Sequence, residues 1–100
     1  MAISEKRYAA QLIDLGGNAR KFDDIGCMLR SSRERAAAWF VMDYQQQQWI
    51  DARQAWFVTS KAIPSPMASG IAAVGDKSRA EDLARKYQGH LSRFEDLAKP

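Results

Sequence analysis

The sequence predicts an α+β fold with two ββαβ units in tandem, mostly antiparallel sheet and two helices. Short segments rich in aromatic and β-branched residues alternate with two stretches of helical periodicity. Glycine- and proline-containing turns separate these segments. The order of elements in residues 8–44 then recurs in residues 55–94. The 100 residues, 46% of them hydrophobic, correspond to one small domain with a modest core.

The first unit is predicted to run strand, strand, helix, strand, over residues 8–15, 19–22, 24–37 and 39–44. Gly16-Gly17-Asn18 predicts a hairpin turn between the first two strands, because these residues accept positive φ at low cost. Asp23 and Asp24 are able to cap the helix by accepting the free amide hydrogens of its first turn. The inward face of this helix is formed by Ile25, Met28 and Leu29.

The second unit is predicted over residues 55–60, 71–74, 78–88 and 90–94, in the same order of elements. Ser78 and Glu81 have the spacing of a capping box at the start of its helix. An apolar stripe follows at helical spacing, formed by Ala80, Leu83, Ala84 and Tyr87. Gly89 is predicted to end the helix in a left-handed conformation. Residues 45–48 are a connector, residues 49–52 are extended or turning, and residues 95–100 form a tail.

Residues 61–70, named here the Pro–Met loop, replace the tight turn of the first unit. Pro64 and Pro66 fix φ and remove backbone donors, so neither a helix nor an inner strand crosses them. A hairpin needs about two residues, so we expect this much longer loop to serve a function. It presents the thioether of Met67, which either fills a gap in the core or binds something soft.

Composition and charge exclude several classes of protein. The net charge of +3 is spread along the chain, whereas a nucleic-acid-binding protein concentrates basic residues on one face. A single cysteine, Cys27, excludes an internal disulfide framework and a zinc site of the Cys/His type. No apolar run approaches a membrane span, and residues 1–10 contain no apolar signal region. These features predict a cytosolic chain unless it is a trimmed piece of an exported protein.

Five blocks of residues occur in the order and at the spacing of a known family. They are Phe22-Asp-Asp-Ile-Gly-Cys-Met-Leu29, Asp43-Tyr44 with Trp49-Ile-Asp-Ala52, Phe57-Val58, Ser65-Pro-Met67 with Gly70-Ile-Ala-Ala73, and Phe94-Glu-Asp-Leu97. In these blocks the chain resembles the NosL family, copper-binding accessory lipoproteins of nitrous oxide reductase maturation. The resemblance covers nearly the whole chain. It implies a single domain of two ββαβ units that binds Cu(I) and passes it toward the reductase.

The resemblance also implies a periplasmic location, since members of the family are outer-membrane lipoproteins. The family has a Cys-x-Met segment before its first strand, whereas this chain opens on Met1-Ala-Ile-Ser-Glu. Met1 is therefore either the last residue of that segment or an initiator methionine. A second difference is Ala68-Ser69-Gly70, where the family is often richer in glycine.

Cu(I) is a soft ion that takes thioether and thiolate sulfur readily. Given the resemblance, the candidate ligands are Met67, Met1, Cys27 and His90, in that order. Each has an alternative interpretation: Met67 as a core residue, Met1 as part of a disordered start, Cys27 as a buried inert thiol, and His90 as an ordinary surface or core residue. Met28 and Met42 are predicted to lie in the core.

An enzymatic function is not predicted, because no set of nucleophile, base and orienting group is visible around Cys27 or His90. The expected partners are a copper ion, nitrous oxide reductase or its maturation complex, and a second copy in a homodimer. Neither nucleic acid binding nor direct membrane insertion is expected. The alternative function is a metal-free interaction or dimerisation module built on the same fold.

Overall fold

Each of two antiparallel sheets is arranged around the first strand of one ββαβ unit. The computed structural model describes residues 6–30, 36–66 and 68–97. A 3₁₀ turn at Lys6–Tyr8 precedes the strands and helices, which are β1 Ala10–Asp14, β2 Ala19–Phe22, α1 Ile25–Arg30, β3 Ala36–Met42, β4 Trp49–Asp51, β5 Trp56–Thr59, β6 Ile71–Val74, α2 Lys77–Tyr87, β7 His90–Arg93 and α3 Phe94–Leu97. In these residues no helix is both long enough and apolar enough to cross a membrane.

The strand order is β2-β1-β3-β4 in the first sheet and β6-β5-β7 in the second. In each unit the first strand is central, and it pairs antiparallel with the second and third strands on either side. The two units therefore have the same topology, which confirms the predicted α+β class and the tandem ββαβ arrangement.

Two apolar clusters form the core, and β5 contributes to both. Phe57 packs in the first cluster with residues of β1, α1 and β3, while Val58 packs in the second with residues of α2. Successive side chains of a strand point to opposite faces, so the second sheet is covered on both sides. All four residues of β6 are buried. Met28 and Met42 are also buried, 0% and 8% exposed, which confirms the prediction that they lie in the core.

The junction between the sheets is polar. Asp43 bridges to Ala73 just beyond the end of β3, and the amide of Tyr44 donates to the Ala73 carbonyl at 2.6 Å. The fully buried carboxylate of Asp43 receives both terminal nitrogens of Arg79 from α2, at 3.1 and 2.9 Å. An ion pair therefore connects the end of one sheet to the helix that covers the other.

The first helix is shorter than predicted. It was expected to reach residue 37, but β3 already begins at Ala36, which pairs with Asp14 of β1. The alanines at 36–38 have a high helix propensity, but the ladder to β1 outweighs this weak local preference. Residues 31–35, which belong to the predicted helix, lie outside the described residues.

Other strand boundaries also differ from the prediction, and two of these differences have a clear structural cause. β1 begins at Ala10 rather than at residue 8, since the chain before it forms the 3₁₀ turn. β3 ends at Met42 rather than at residue 44, because the Asp43 carboxylate accepts the amide hydrogens of Gln45 and Gln46. Such a bond from a side chain to the backbone turns the chain away from the sheet.

The caps of α2 differ from the predicted ones. Its N-cap is Asp76, whose carboxylate accepts the Ser78 amide hydrogen, so the prediction that Ser78 caps the helix is wrong. Aspartate is an equally good cap, and it stands two residues earlier. The left-handed residue at the other end is Gln88, with φ of 54°, rather than Gly89.

The chain after β7 forms a helix where the sequence predicted the end of a strand and a tail. β7 ends at Arg93, and Phe94 begins α3. The Asp96 carboxylate accepts the Arg93 amide hydrogen, which closes the helix start onto the strand. Phe94 is 8% exposed and its ring lies 5.5 Å from that of Trp39. The short helix therefore seals the first core cluster.

Candidate functional site

The Pro–Met loop connects β5 to β6, as predicted, and a narrow neck closes it. At the neck the Ser60 amide donates to the Gly70 carbonyl at 2.9 Å. Gly70 has φ of 70°, and a Cβ atom built on it would lie 2.3 Å from the Ser60 carbonyl oxygen. Only glycine fits this close approach of two backbones. The loop is therefore a closed unit, not a free extension.

Gly70→Ala is expected to lower the free energy of unfolding by about 2 kcal/mol or more, measured by urea denaturation. The variant is strained by its positive φ and by the clash with Ser60. Gly17→Ala is a matched control, since Gly17 also has positive φ, at 85°, but has nothing within 4 Å of its Cβ position. It is expected to lose about 1 kcal/mol. Equal losses in the two variants would contradict the tight neck.

The first half of the loop is held from inside the protein. Ile63 is only 2% exposed and belongs to the second core cluster, together with Tyr8 and Val58. At the start of the loop, the Ser60 hydroxyl donates to the Tyr87 carbonyl at 2.6 Å and accepts the Ala62 amide hydrogen. The buried side chain of Ile63 and the hydrogen bond from Ser60 to the end of α2 therefore fix this half of the loop.

The second half of the loop is held by a chain of polar groups. The Ser69 hydroxyl donates to Oδ1 of Asp24 at 2.5 Å, and the Gly26 amide donates to the same oxygen at 2.8 Å. The Gly70 amide donates to the Ser65 hydroxyl, which lies 3.3 Å from the Ser69 hydroxyl. Asp24 therefore caps α1, as predicted, and also binds the loop, which the sequence did not reveal.

Two of the candidate ligands, Met67 and Met1, lie outside the described residues. Met67 stands between Ser65 and Ser69 in the sequence, and both of these are hydrogen-bonded as above. The assignments of Met67 and Met1 as ligands remain predictions. Among the residues that the structure describes, no three His, Cys, Asp or Glu side chains form a group able to hold a metal ion.

Cys27 lies in α1, next to the contact between this helix and the loop. A Cβ atom on Gly26 would lie 2.4 Å from Cβ of Ser69, so the helix and the loop touch at the preceding residue. The Cys27 thiol is partly exposed. Burial raises its pKa, and the negative charge of Asp24 raises this pKa further. The thiol is therefore protonated at neutral pH, whereas the thiolate is the form that binds metals.

His90 lies at the other end of the loop. It is the first residue of β7 and pairs with Thr59 of β5. Its exposed side chain borders an open cavity of about 500 Å³, together with Lys61 and Ala62 of the loop and Tyr87 of α2. The structure therefore places His90 near the start of the Pro–Met loop, and Cys27 near its end.

Comparison with known proteins bears on the whole chain. A sequence model of the NosL family matches residues 1–100. The structure is similar to that of the copper chaperone NosL from Shewanella denitrificans, with a TM-score of 0.73 and 22% sequence identity. The similarity covers 88% of this chain and 75% of that one, and it shows a common fold. No protein with a curated description matches the chain in sequence.

Proposed function

Since the chain belongs to the NosL family, we propose that it is a copper-binding chaperone that takes up Cu(I) for the assembly of nitrous oxide reductase. The observation that supports this proposal most is the Pro–Met loop. Its neck is closed by Gly70, and Ser69, two residues after Met67, donates to the fully buried carboxylate of Asp24. Such contacts hold the described residues of the loop in place before any ligand binds, and preorganisation of this kind favours ligand binding.

The proposed site is built from sulfur around Met67. A thioether has no proton to lose, and it exchanges Cu(I) readily, which suits a protein that must release its ion. Met1 is the second proposed ligand. Tyr8 shares the second core cluster with Ile63 of the loop, and the five residues before the 3₁₀ turn could span at most about 17 Å if extended. Cys27 and His90 are proposed as further ligands from the two ends of the loop.

The proposal extends to compartment and partners. We infer a periplasmic protein without enzymatic activity, which acts by transferring its copper ion to the reductase or to a maturation complex. An alternative is a metal-free interaction or dimerisation module. It is favoured by Trp49, which is 41% exposed on the edge strand β4, because aromatic side chains and open strand edges are typical of interfaces.

Anaerobic titration under reducing conditions, in competition with a chromophoric Cu(I) chelator, tests the proposal. We expect about one Cu(I) per chain and a strong preference over Zn(II), as a sulfur site predicts. A site made only of thioethers has an affinity nearly independent of pH between about pH 6 and pH 8, whereas any ligand that loses a proton on binding, such as Cys27, makes the affinity rise with pH. Binding no tighter than that of free methionine would refute the proposal and leave the interaction module.

A further inference from the structure

We propose that Asp24 and Ser69 are positioning residues that hold the Pro–Met loop in the conformation that binds metal. This inference rests on the proposed function, which it extends to residues that do not themselves touch the ion. Ser65 completes the arrangement as the link between Ser69 and the neck of the loop.

Capping of α1 does not require the hydrogen bond between Ser69 and Asp24. The bond from the Gly26 amide to Asp24 serves the start of α1. The bond from Ser69 comes from a residue 45 positions away, and it is short, at 2.5 Å. Asp24 is 0% exposed, and a hydrogen bond to a buried carboxylate is stronger than one between neutral groups.

The hydroxyls of Ser65 and Ser69, which precede and follow Met67 in the sequence, take part in a directed chain of hydrogen bonds. Ser69 uses its own proton on Asp24, so Ser65 donates to Ser69 across their 3.3 Å separation. Ser65 then accepts the Gly70 amide hydrogen at 2.9 Å. Bonds in such a chain polarise and strengthen one another. The residues two before and two after Met67 are therefore connected to each other and to α1.

The backbone beside Met67 has a conformation that its surroundings must hold in place. Ala68 has φ of 59°, a left-handed conformation that is unfavourable for a residue with a Cβ atom. Its amide donates to the Ser65 carbonyl at 3.0 Å, which closes a turn over residues 65–68. Unfavourable backbone conformations persist only where the surroundings enforce them, and they occur often at functional sites. Here the surroundings are Ser65, Ser69 and Asp24.

The sequence of α1 allows this contact through Gly26. A Cβ atom added to Gly26 would lie 2.4 Å from Cβ of Ser69, which is closer than two carbon atoms can pack. A methyl group at Gly26 therefore pushes the loop away from the helix without removing any hydroxyl or carboxylate. This gives a second way to disturb the same positioning.

Loss of the Asp24–Ser69 bond is expected to let the loop sample conformations that do not bind metal. The apparent dissociation constant then rises in inverse proportion to the competent fraction. Ser69→Ala removes one charge-assisted hydrogen bond, which corresponds to roughly tenfold weaker Cu(I) binding. Gly26→Ala is expected to weaken binding in the same direction.

The experiment measures Cu(I) affinity by chelator competition for wild type, Ser69→Ala, Gly26→Ala and two controls. Ser78→Ala removes an exposed hydroxyl from α2, and Val41→Ala destabilises the first sheet at a residue that is 0% exposed. Neither control is expected to change the affinity. In the metal-free protein, the ¹³C-methyl resonance of Met67, assigned with Met67→Leu, is expected to move toward its value in a free peptide in the first two variants only.

The outcomes separate the inference from the proposed function. If wild type binds Cu(I) and Ser69→Ala binds it equally well, positioning by Asp24 and Ser69 is refuted while the chaperone function stands. An equal loss of affinity in Val41→Ala also refutes positioning, because general destabilisation then explains the effect. If wild type fails to bind Cu(I), the proposed function and the inference fall together.

Discussion

Asp43→Asn is expected to lower the free energy of unfolding by about 3 kcal/mol, a large part of the total for a chain of this size. The carboxylate is 0% exposed and receives Arg79 at both oxygens. It also accepts the amide hydrogens of Gln45, Gln46 and Gly75 at 2.9 Å. The asparagine side chain has one acceptor oxygen in place of two, and its NH₂ group would face the N–H donors that now bind the carboxylate. Several of these donors therefore lose their acceptor.

The same substitution is expected to flatten the pH dependence of stability in acid. Burial alone would raise the pKa of Asp43, but the hydrogen bonds from Arg79 and from the three amides outweigh it and hold the pKa at about 2. The pKa in the unfolded chain is near 3.8. The stabilisation is therefore complete above the unfolded-state pKa and is lost as the pH falls toward 2, by about 2 kcal/mol in all. Urea denaturation between about pH 5 and pH 2 is expected to show this loss in wild type and not in Asp43→Asn.

Asp82→Asn is the matched control for Asp43→Asn. Asp82 also pairs with an arginine, Arg85, but both side chains are more than half exposed, and such pairs contribute little. A double-mutant cycle between Asp43→Ala and Arg79→Ala isolates the coupling of the buried pair. A stability loss in Asp43→Asn no larger than in Asp82→Asn would show that the junction between the sheets does not depend on this carboxylate.

The junction also illustrates what the sequence alone can and cannot predict. Local patterns predict the strands, the turns and the tandem ββαβ order, and the structure confirms that order although several boundaries differ. Asp43 was recognised only as part of a family block, because its partner Arg79 is 36 residues away. Nothing in the spacing of charges along a chain indicates which of them meet after folding, so long-range pairs escape this kind of reasoning.

The Pro–Met loop likewise has features that the sequence predicts and a contact that it does not predict. Pro64 and Pro66 predict a loop by local stereochemistry, and the length of the connection suggests a function. The contact of Ser69 with Asp24 depends instead on how α1 lies against the second unit. Asp24 is predicted to cap the helix, and capping alone accounts for an aspartate at this position. When a local role such as capping already accounts for a residue, a single sequence gives no sign of a second role.

Met67→Leu is expected to weaken Cu(I) binding by about 100-fold or more, the largest functional effect of any substitution considered. Leucine has nearly the same volume and polarity as methionine, so the free energy of unfolding should change by less than about 1.5 kcal/mol. The substitution removes the thioether sulfur and with it the soft donor that Cu(I) prefers. Affinity is measured by competition with a chromophoric chelator under anaerobic conditions, and stability by urea denaturation of the same samples.

Met28→Leu is the matched control, because it makes the same substitution at a buried methionine. Met28 is 0% exposed in the first core cluster, on the helix that also contains Cys27. Its replacement is expected to leave the Cu(I) affinity unchanged at a similar small cost in stability. If Met67→Leu and Met28→Leu bind Cu(I) as tightly as wild type, Met67 is not a ligand. A loss of affinity in Met67→Leu alone would assign copper binding to the sulfur of the Pro–Met loop, since volume, polarity and fold are then held constant.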